Sequence, residues 1–295
     1  RRLIEIVVPE HVLDSNEIQL AYSYDATPGF QSLPDAVVMP GSTEDVQKIV
    51  RLCNETKTPI VARGSGTNLS AGTCPLHGGI VLSFQRMNRI LELDEENLTV
   101  TVQPGVITQT LCDYVEQRGF FYPPDPSSMR ISTIGGNIAE NSGGLRGLKY
   151  GVTRDYVLGL TVVLGNGDII RTGGKLAKDV AGYDLTRLIV GSEGTLGIVT
   201  EAILKLVPPP ETKQTLLAVY DRMEKAAETV SEIIGQRIIP ATLEFLDQAT
   251  IEVVEDFAKV GLPTEAAAVL LIEQDGAPEV VDRDIQKIER ICRDM

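Results

Sequence analysis

The chain has 295 residues, of which 43% are hydrophobic and 23% charged, and its formal net charge is −14. That length allows one or two sizeable cores in a globular protein. The acidic balance opposes a phosphate-backbone partner, the lack of Trp and scarcity of aromatics leave no platform for stacked bases, and no apolar run approaches the roughly 20 residues of a membrane span.

The opening RRLIEIVVPEHVL is too short and too acidic for a secretory signal. Four scattered cysteines (Cys53, Cys74, Cys112 and Cys292) form no C-x-x-C pair, and with only His11 and His77 no zinc cluster can be written. Single cysteines of this kind suit a reducing compartment as small buried hydrophobes, so the expected location is cytoplasmic.

Residues 36–39 read as a short apolar strand, followed by a helix capped by Ser42 or Thr43 with Glu44 and Asp45 in its first turn. Val46, Ile49, Val50 and Cys53 recur at helical spacing. A strand at 59–62 runs straight into the glycine-rich ARGSGTNLSAG, residues 62–72, which therefore sits at the carboxyl end of a strand, where α/β sheets place ligands. Strands follow at 79–84, 90–94 and 98–105, then a helix over 108–118. Residues 157–173 read as a hairpin turning at Asn166-Gly167, and YDLTRLIVG as a short helix. The strand GIVTEAILKLVP ends in three prolines, Pro208, Pro209 and Pro210, the best domain boundary in the sequence. Beyond it, strands at 214–220, 241–247 and 267–274 and helices at 222–235 and 277–293, with an extra helix near 248–258, give the order of a ferredoxin-like plait lacking its last strand. Such a plait leaves one sheet edge unpaired, so either a partner supplies the cover or the chain is a fragment of a longer protein, and the fragment is expected.

Three segments carry chemistry. The loop 62–72 is neither a Walker A loop, since no Lys follows Gly66, nor a G-x-G-x-x-G fingerprint, since position 69 is Leu69. Gly64 and Gly66 allow positive φ, so successive N–H groups can turn toward one anion, with Ser65, Thr67, Asn68 and Ser70 as added donors. A tight surface turn is the alternative. The second, PPDPSSMRISTIGGNIAENSGG (123–144), is too polar and glycine-rich to build a core, and a loop of that length is usually functional. Asn137 and Asn141 lie four apart on a short helix there, whose amino end would offer free N–H groups. A mobile loop is the alternative, opposed by Ile131, Ile134 and Ile138 as packing residues. In the third, GSEGTLGIVTEAILKL (191–206), side chains at Gly191, Gly194 and Gly197 would block a ligand from the backbone, and Ile198 and Val199 could meet a flat ring. Three such loops point to one large, two-ended ligand.

VARGSGTNLSAG, VQPGV, PPDPSSMRISTIGGNIAENSGG, KYGVTRDYVLGLTVVLGNG and KDVAGYDLTRLIVGSEGTLGIVTEAILKL together resemble the FAD-binding domain of the vanillyl-alcohol oxidase (PCMH) type. More narrowly they are similar to the glycolate oxidase D subunit and D-lactate dehydrogenase family, in order and spacing from about residue 30 to 207. The resemblance implies an α+β fold: a PCMH-type FAD-binding domain over 1–207, with an N-terminal helical or extended segment and subdomains of about 30–95 and 96–207, then an incomplete ferredoxin-like cap domain over 211–295. By match to the family's motifs, Arg63, Gly64, Ser65, Gly66, Thr67 and Asn68 would cradle the FAD pyrophosphate. Pro124, Asp125, Ser127 and Thr133 would lie along the flavin and its ribityl chain. Gly135, Gly136, Asn137, Asn141 and Gly143 would approach the phosphates and isoalloxazine, with Glu193, Ile198 and Val199 serving the adenosine end. Relatives that bind the flavin covalently carry a His at the place of Thr67, so dissociable FAD is expected; His77 is read as a surface or packing residue.

The family's catalytic His and acidic residues, often with a divalent metal, lie late in the cap domain. Both histidines here precede residue 80, so no catalytic residue and no metal ligand is assigned, and a metal would need residues this chain lacks. The implied function is oxidation of a D-2-hydroxy acid of glycolate or D-lactate type by hydride transfer to flavin N5, with electrons passed to an iron–sulfur subunit, an electron-transfer flavoprotein or another acceptor. The alternative is a flavin-binding electron-transfer subunit without its own substrate site. Arg130, Arg146 and Lys149 could steer a carboxylate, although solvated or phosphate-pairing roles are commoner.

Overall fold

A computed structural model describes all 295 residues. It divides into two compact units, residues 1–142 with 152–207 and residues 143–151 with 208–295. No helix is long and apolar enough to cross a membrane.

The first unit begins with α1 (Arg2–Val7), β1 (Val12–Leu13) and α2 (Asn16–Ala21). Next come β2 (Ala36–Val38), α3 (Thr43–Thr56), β3 (Ile60–Arg63) and β4 (Ile80–Ser83). They form a four-stranded sheet in the order β1-β2-β4-β3, in which β4 runs parallel to both β2 and β3. The start of α3 is fixed by sequence chemistry: Ser42 accepts from the Asp45 N–H at 3.1 Å while the Asp45 carboxylate accepts from Gly41 N at 2.9 Å. Such caps are worth about 1 kcal/mol. The helical stripe Val46, Ile49, Val50 and Cys53 is buried against Val38, Ile80 and Leu82 of the sheet.

The same unit continues with β5 (Ile90–Asp94), β6 (Thr99–Val102), α4 (Thr108–Glu116) and α5 (Ile134–Glu140). After α6 (Gly147–Tyr150), which packs in the second unit, come β7 (Val157–Val163), β8 (Ile169–Gly173), α7 (Leu185–Ile189) and β9 (Ile198–Lys205). The strands make an antiparallel sheet in the order β5-β6-β9-β7-β8. β5 therefore belongs to this sheet, and the division expected near residue 95 falls ahead of it: the hairpin turn at Asp94–Asn97 pairs β5 with β6 rather than with β4. The β7–β8 hairpin closes where Asn166-Gly167 predicts, with Gly167 at φ 85° and its N–H on the Leu164 carbonyl.

The stretch 123–144 is anchored throughout. Thr108 N donates to Ser132 O at 2.9 Å, Gln109 N to Met129 O at 2.9 Å, and Asn137 Nδ2 to Thr108 Oγ1 at 2.7 Å. Ile134 and Ile138 are fully buried as packing residues; Ile131 is 60% exposed and does not pack.

The second unit holds β10 (Thr212–Tyr220), α8 (Met223–Gly235), β11 (Thr242–Asp247), α9 (Gln248–Ala258), β12 (Ala268–Gly276) and α10 (Pro278–Asp294). Its antiparallel sheet runs β10-β12-β11, the order of a plait with β10 as an unpaired edge. Ala226 and Ile233 of α8 and Ile288 and Ile291 of α10 pack with Tyr220, Leu270 and Ile272. The segment 143–151 is held here by Asp275, which accepts from Lys149 Nζ and, at 2.8 Å, from the Tyr150 hydroxyl.

Tyr122 is fully buried, with its ring edge-on to Tyr156 at 6.0 Å and no partner for its hydroxyl. Burial drives that phenol's pKa up, followed by the neighbouring Cys112 and Tyr156. A buried hydroxyl without a partner costs its desolvation. Tyr122→Phe is expected to leave the denaturant midpoint unchanged or raise it; a loss above about 1 kcal/mol would contradict the geometry.

Candidate functional site

The first unit holds a cavity of about 350 Å³ at the carboxyl end of β3. Its wall comes from the loop after β3, the first turn and outer face of α5, and the turn before β9. Among the residues singled out from sequence, Arg63, Gly64, Ser65, Gly66, Thr67, Asn68, Thr133, Gly135, Gly136, Asn137, Glu193, Ile198 and Val199 line it. Pro124, Asp125, Ser127, Asn141 and Gly143 do not, although the neighbouring Ser128 does. Pro124 and Asp125 are buried, Ser127 is exposed, and Gly143 packs with the second unit. Asn141 is the left-handed C-cap of α5, its Oδ1 accepting from Arg154 N at 2.9 Å.

The loop is built to present main chain. Gly66 has φ 69°, and a Cβ there would lie 2.3 Å from Arg63 Nη2, so the guanidinium sits directly against it. A Cβ on Gly64 would lie 2.2 Å from Thr133 Oγ1, so loop and helix start close on each other. No protein acceptor takes the backbone N–H groups of Ser65, Gly66 or Thr67. Unspent donors on a wall with φ > 0 form a concavity suited to an anion.

Arg63 is buried and its guanidinium is engaged by the protein: Nη1 donates to Tyr24 O at 2.7 Å and to Thr73 Oγ1 at 3.2 Å, with the guanidinium 5.4 Å from the Tyr22 ring centroid. Burial lowers its pKa, and the nearby Asp25 offsets that effect. Arg63 adds positive potential against the loop at Gly66.

The amino end of α5 differs from its sequence reading. Its N–H groups are not free: Ile134 N donates to Val106 O and Gly135 N to Pro104 O, each at 2.8 Å, while Gly136 N donates to the Thr133 cap at 3.2 Å. The preceding strand turn consumes them, so α5 lends shape rather than donors. In the third segment, a Cβ on Gly197 would meet Val162 at 2.6 Å and one on Gly191 would meet Arg154 at 2.8 Å, so both admit protein; of the three, Gly194 alone faces open space. Lys149, engaged by Asp275, is spent on structure, and His77 is exposed on a surface turn.

Glu140, Thr73 and Ser128 also line the cavity and were not singled out from sequence. Glu140 lies three residues after Asn137 on α5, a helical interval that marks a shared face. Ser70 Oγ donates to it at 3.2 Å. Burial raises its carboxyl pKa, with Glu193 and Asp25 adding repulsion. Acids on this wall favour ligand hydroxyls and disfavour phosphate next to them.

Residues 34–173 match the FAD binding domain and residues 209–295 the C-terminal domain of FAD linked oxidases. The chain is 70% identical over 292 residues to "Glycolate oxidase subunit GlcD" of Bacillus subtilis (strain 168), covering 99% of this chain and 62% of that protein. It is 39% identical to "D-lactate dehydrogenase" of Anaerostipes hadrus, covering 95% of this chain and 60% of that protein. It thus spans about three fifths of the length of these relatives. Among solved structures, alkyldihydroxyacetonephosphate synthase superposes with a TM-score of 0.85 at 23% identity, over 100% of this chain and 58% of that one. That likeness concerns the fold alone.

Gly64→Ala is expected to cost about 1–3 kcal/mol through overpacking against Thr133. In a double-mutant cycle with Thr133→Ala, the two losses should be less than additive, because removing Oγ1 relieves the clash; strict additivity would contradict the contact. Burial pushes the Asp25 carboxyl up, but hydrogen bonds from Thr27, Asn68 and Thr73 outweigh it and hold its pKa at about 2. Its stabilising contribution is therefore full above the unfolded value near 4 and lost as pH falls through about 2. Asp25→Asn should flatten the acid limb of stability in that window, measured by denaturant melts.

Proposed function

Since the chain belongs to the FAD-linked oxidases, we propose that it binds FAD non-covalently and serves an oxidoreductase that converts a D-2-hydroxy acid of glycolate or D-lactate type to the 2-oxo acid. The single observation that supports this most is the row of unspent backbone donors at Ser65, Gly66 and Thr67, residues that line the cavity within the matched FAD domain. Gly64, Ser65, Gly66, Thr67 and Asn68 hold the diphosphate through main chain, so no Lys is needed, while Arg63 supports them from below. Thr133, Gly135, Gly136 and Asn137 form the wall beside it, and Glu193, Ile198 and Val199 serve the adenosine end, where a carboxylate can accept from ribose hydroxyls.

When bound, FAD supplies a two-electron acceptor, so the α-hydrogen of the substrate can leave as hydride to N5 while a base takes the hydroxyl proton. The chain's own part is to orient and to exclude water, for which the buried apolar side chains of Ile198 and Phe84 line the cavity. Thr67 stands in the loop with a hydroxyl, which forms no bond to a flavin carbon under these conditions, so the cofactor is dissociable. Electrons then pass to an acceptor such as an iron–sulfur subunit or an electron-transfer flavoprotein. A second reading, a flavin-binding electron-transfer subunit, draws support from one observation: neither His11 nor His77 lines the cavity.

Purified protein reconstituted with FAD should be yellow, and acid or heat denaturation should release intact FAD into the filtrate. Colourless protein that takes up no FAD, or flavin retained on the denatured chain, would contradict the proposal. Anaerobic bleaching by D-lactate or glycolate supports the enzyme; a flavin that ignores both yet is reduced by a protein donor supports the electron carrier.

A further inference from the structure

The matched FAD domain begins at residue 34, yet the loop that lines the cavity is tied down by residues ahead of it. Asp25 is 8% exposed and spends both oxygens inside the protein. Oδ1 accepts from Thr27 N at 2.9 Å; Oδ2 accepts from Asn68 Nδ2 at 2.8 Å and Thr73 N at 3.3 Å, and lies 3.1 Å from the Thr73 hydroxyl. Thr27 works beside it: its Oγ1 accepts from Ala71 N at 2.8 Å and donates to Asn68 O at 3.3 Å. Ala26 N donates to Gly66 O at 3.0 Å.

We infer that Asp25 and Thr27 are positioning residues of the cofactor site, holding the loop after β3 in the shape that turns its N–H groups toward the FAD diphosphate. The inference rests on the FAD reading of the cavity. Its geometry follows from the planar trans peptide, in which C=O and the next N–H point in opposite directions. With the Gly66 carbonyl drawn outward onto Ala26, the Thr67 N–H faces the other way, on the side where Gly66 and Thr67 line the cavity. Asp25 fixes the far end of the same loop through Asn68 and Thr73, and it faces Arg63, whose guanidinium fills the space under Gly66. An Asn cannot replace it: with one oxygen and one NH2, it must point a donor at either the Thr27 N–H or the Asn68 and Thr73 donors. A segment outside the matched domain thereby sets the domain's affinity for its ligand.

The test uses the 295-residue apoprotein, unsubstituted and as Asp25→Asn and Thr27→Val, titrated with FAD and with riboflavin, with the 31P spectrum of bound FAD recorded alongside. Asp25→Asn should weaken FAD by about tenfold to a hundredfold, the span of a lost charged hydrogen bond. Thr27→Val, which keeps the side-chain shape, should weaken it less. Riboflavin, which has no diphosphate, should bind all three proteins alike, and the 31P resonances of FAD should move in both variants. If Asp25→Asn does not fold, Thr27→Val decides by the same criteria. FAD affinity within about threefold of the unsubstituted protein, or equal loss for FAD and riboflavin, overturns the inference and leaves the FAD reading intact. An unsubstituted chain that takes up no FAD overturns both.

Discussion

The carboxylate of Asp25 sits among four donors from Thr27, Asn68 and Thr73, and the loop after β3 takes its form from that arrangement. A charge this buried persists only when its lone pairs are filled. Filling them forces Asn68 and Thr73 to approach one point, which draws a glycine-containing loop into a closed curve. Arg63, likewise buried, is satisfied by the Tyr24 carbonyl on the same segment. The polar groups behind the loop are thus spent on one another, while the backbone N–H groups of Ser65, Gly66 and Thr67, residues that line the cavity, remain unspent. That asymmetry suits the loop to an anion.

The same economy explains α5. Its first three N–H groups go to Val106, Pro104 and Thr133, so the helix is welded to the chain that follows β6. A rigid helix start can then stop the β3 loop at a fixed distance, through the Thr133 side chain against Gly64. Hydrogen bonds within a 295-residue chain are finite, and a donor used for rigidity is not available to a ligand. Here the donors of the helix start serve rigidity and those of the loop are left open, the reverse of what a glycine-rich helix start suggests by itself.

Local patterns were readable in the sequence because their causes are local. The α3 stripe, the Asn166-Gly167 hairpin and the strand ended by three prolines each depend on residues within a few positions of one another. The loop after β3 was readable for the same reason, whereas Thr133, Gly135, Gly136 and Asn137, which also line the cavity, came from the family resemblance. What escaped depends on distant partners. Asp25 meets Asn68 and Thr73 across more than forty positions, and Lys149 meets Asp275 across 126. Gly197 gave no sign of its neighbour Val162, since a glycine that admits a strand and one that admits a ligand look identical in one dimension. Pro124, Asp125, Ser127, Asn141 and Gly143 came from the same resemblance and do not line the cavity, since a motif match does not say which side of a loop faces it.

The second unit shows how far a strand's two faces can differ. On β10, Leu216, Ala218 and Tyr220 pair in register with Ile272, Leu270 and Ala268 and share the core beneath α8 and α10. Leu217 and Val219 point to the opposite face and are 50% and 54% exposed. That face is covered in part: Ile251 of α9 packs with Val269, Leu246, Leu262 and Ala266, over β11 and β12. α9 is inserted directly after β11, so its reach ends before β10, and the edge strand keeps apolar side chains on a face that its own unit leaves open. A strand solvated on one face alternates apolar with polar residues, whereas one covered on both faces reads as a continuous apolar run. LLAV at 216–219 is the second kind of text, so β10 carries the sequence of an interior strand in an edge position.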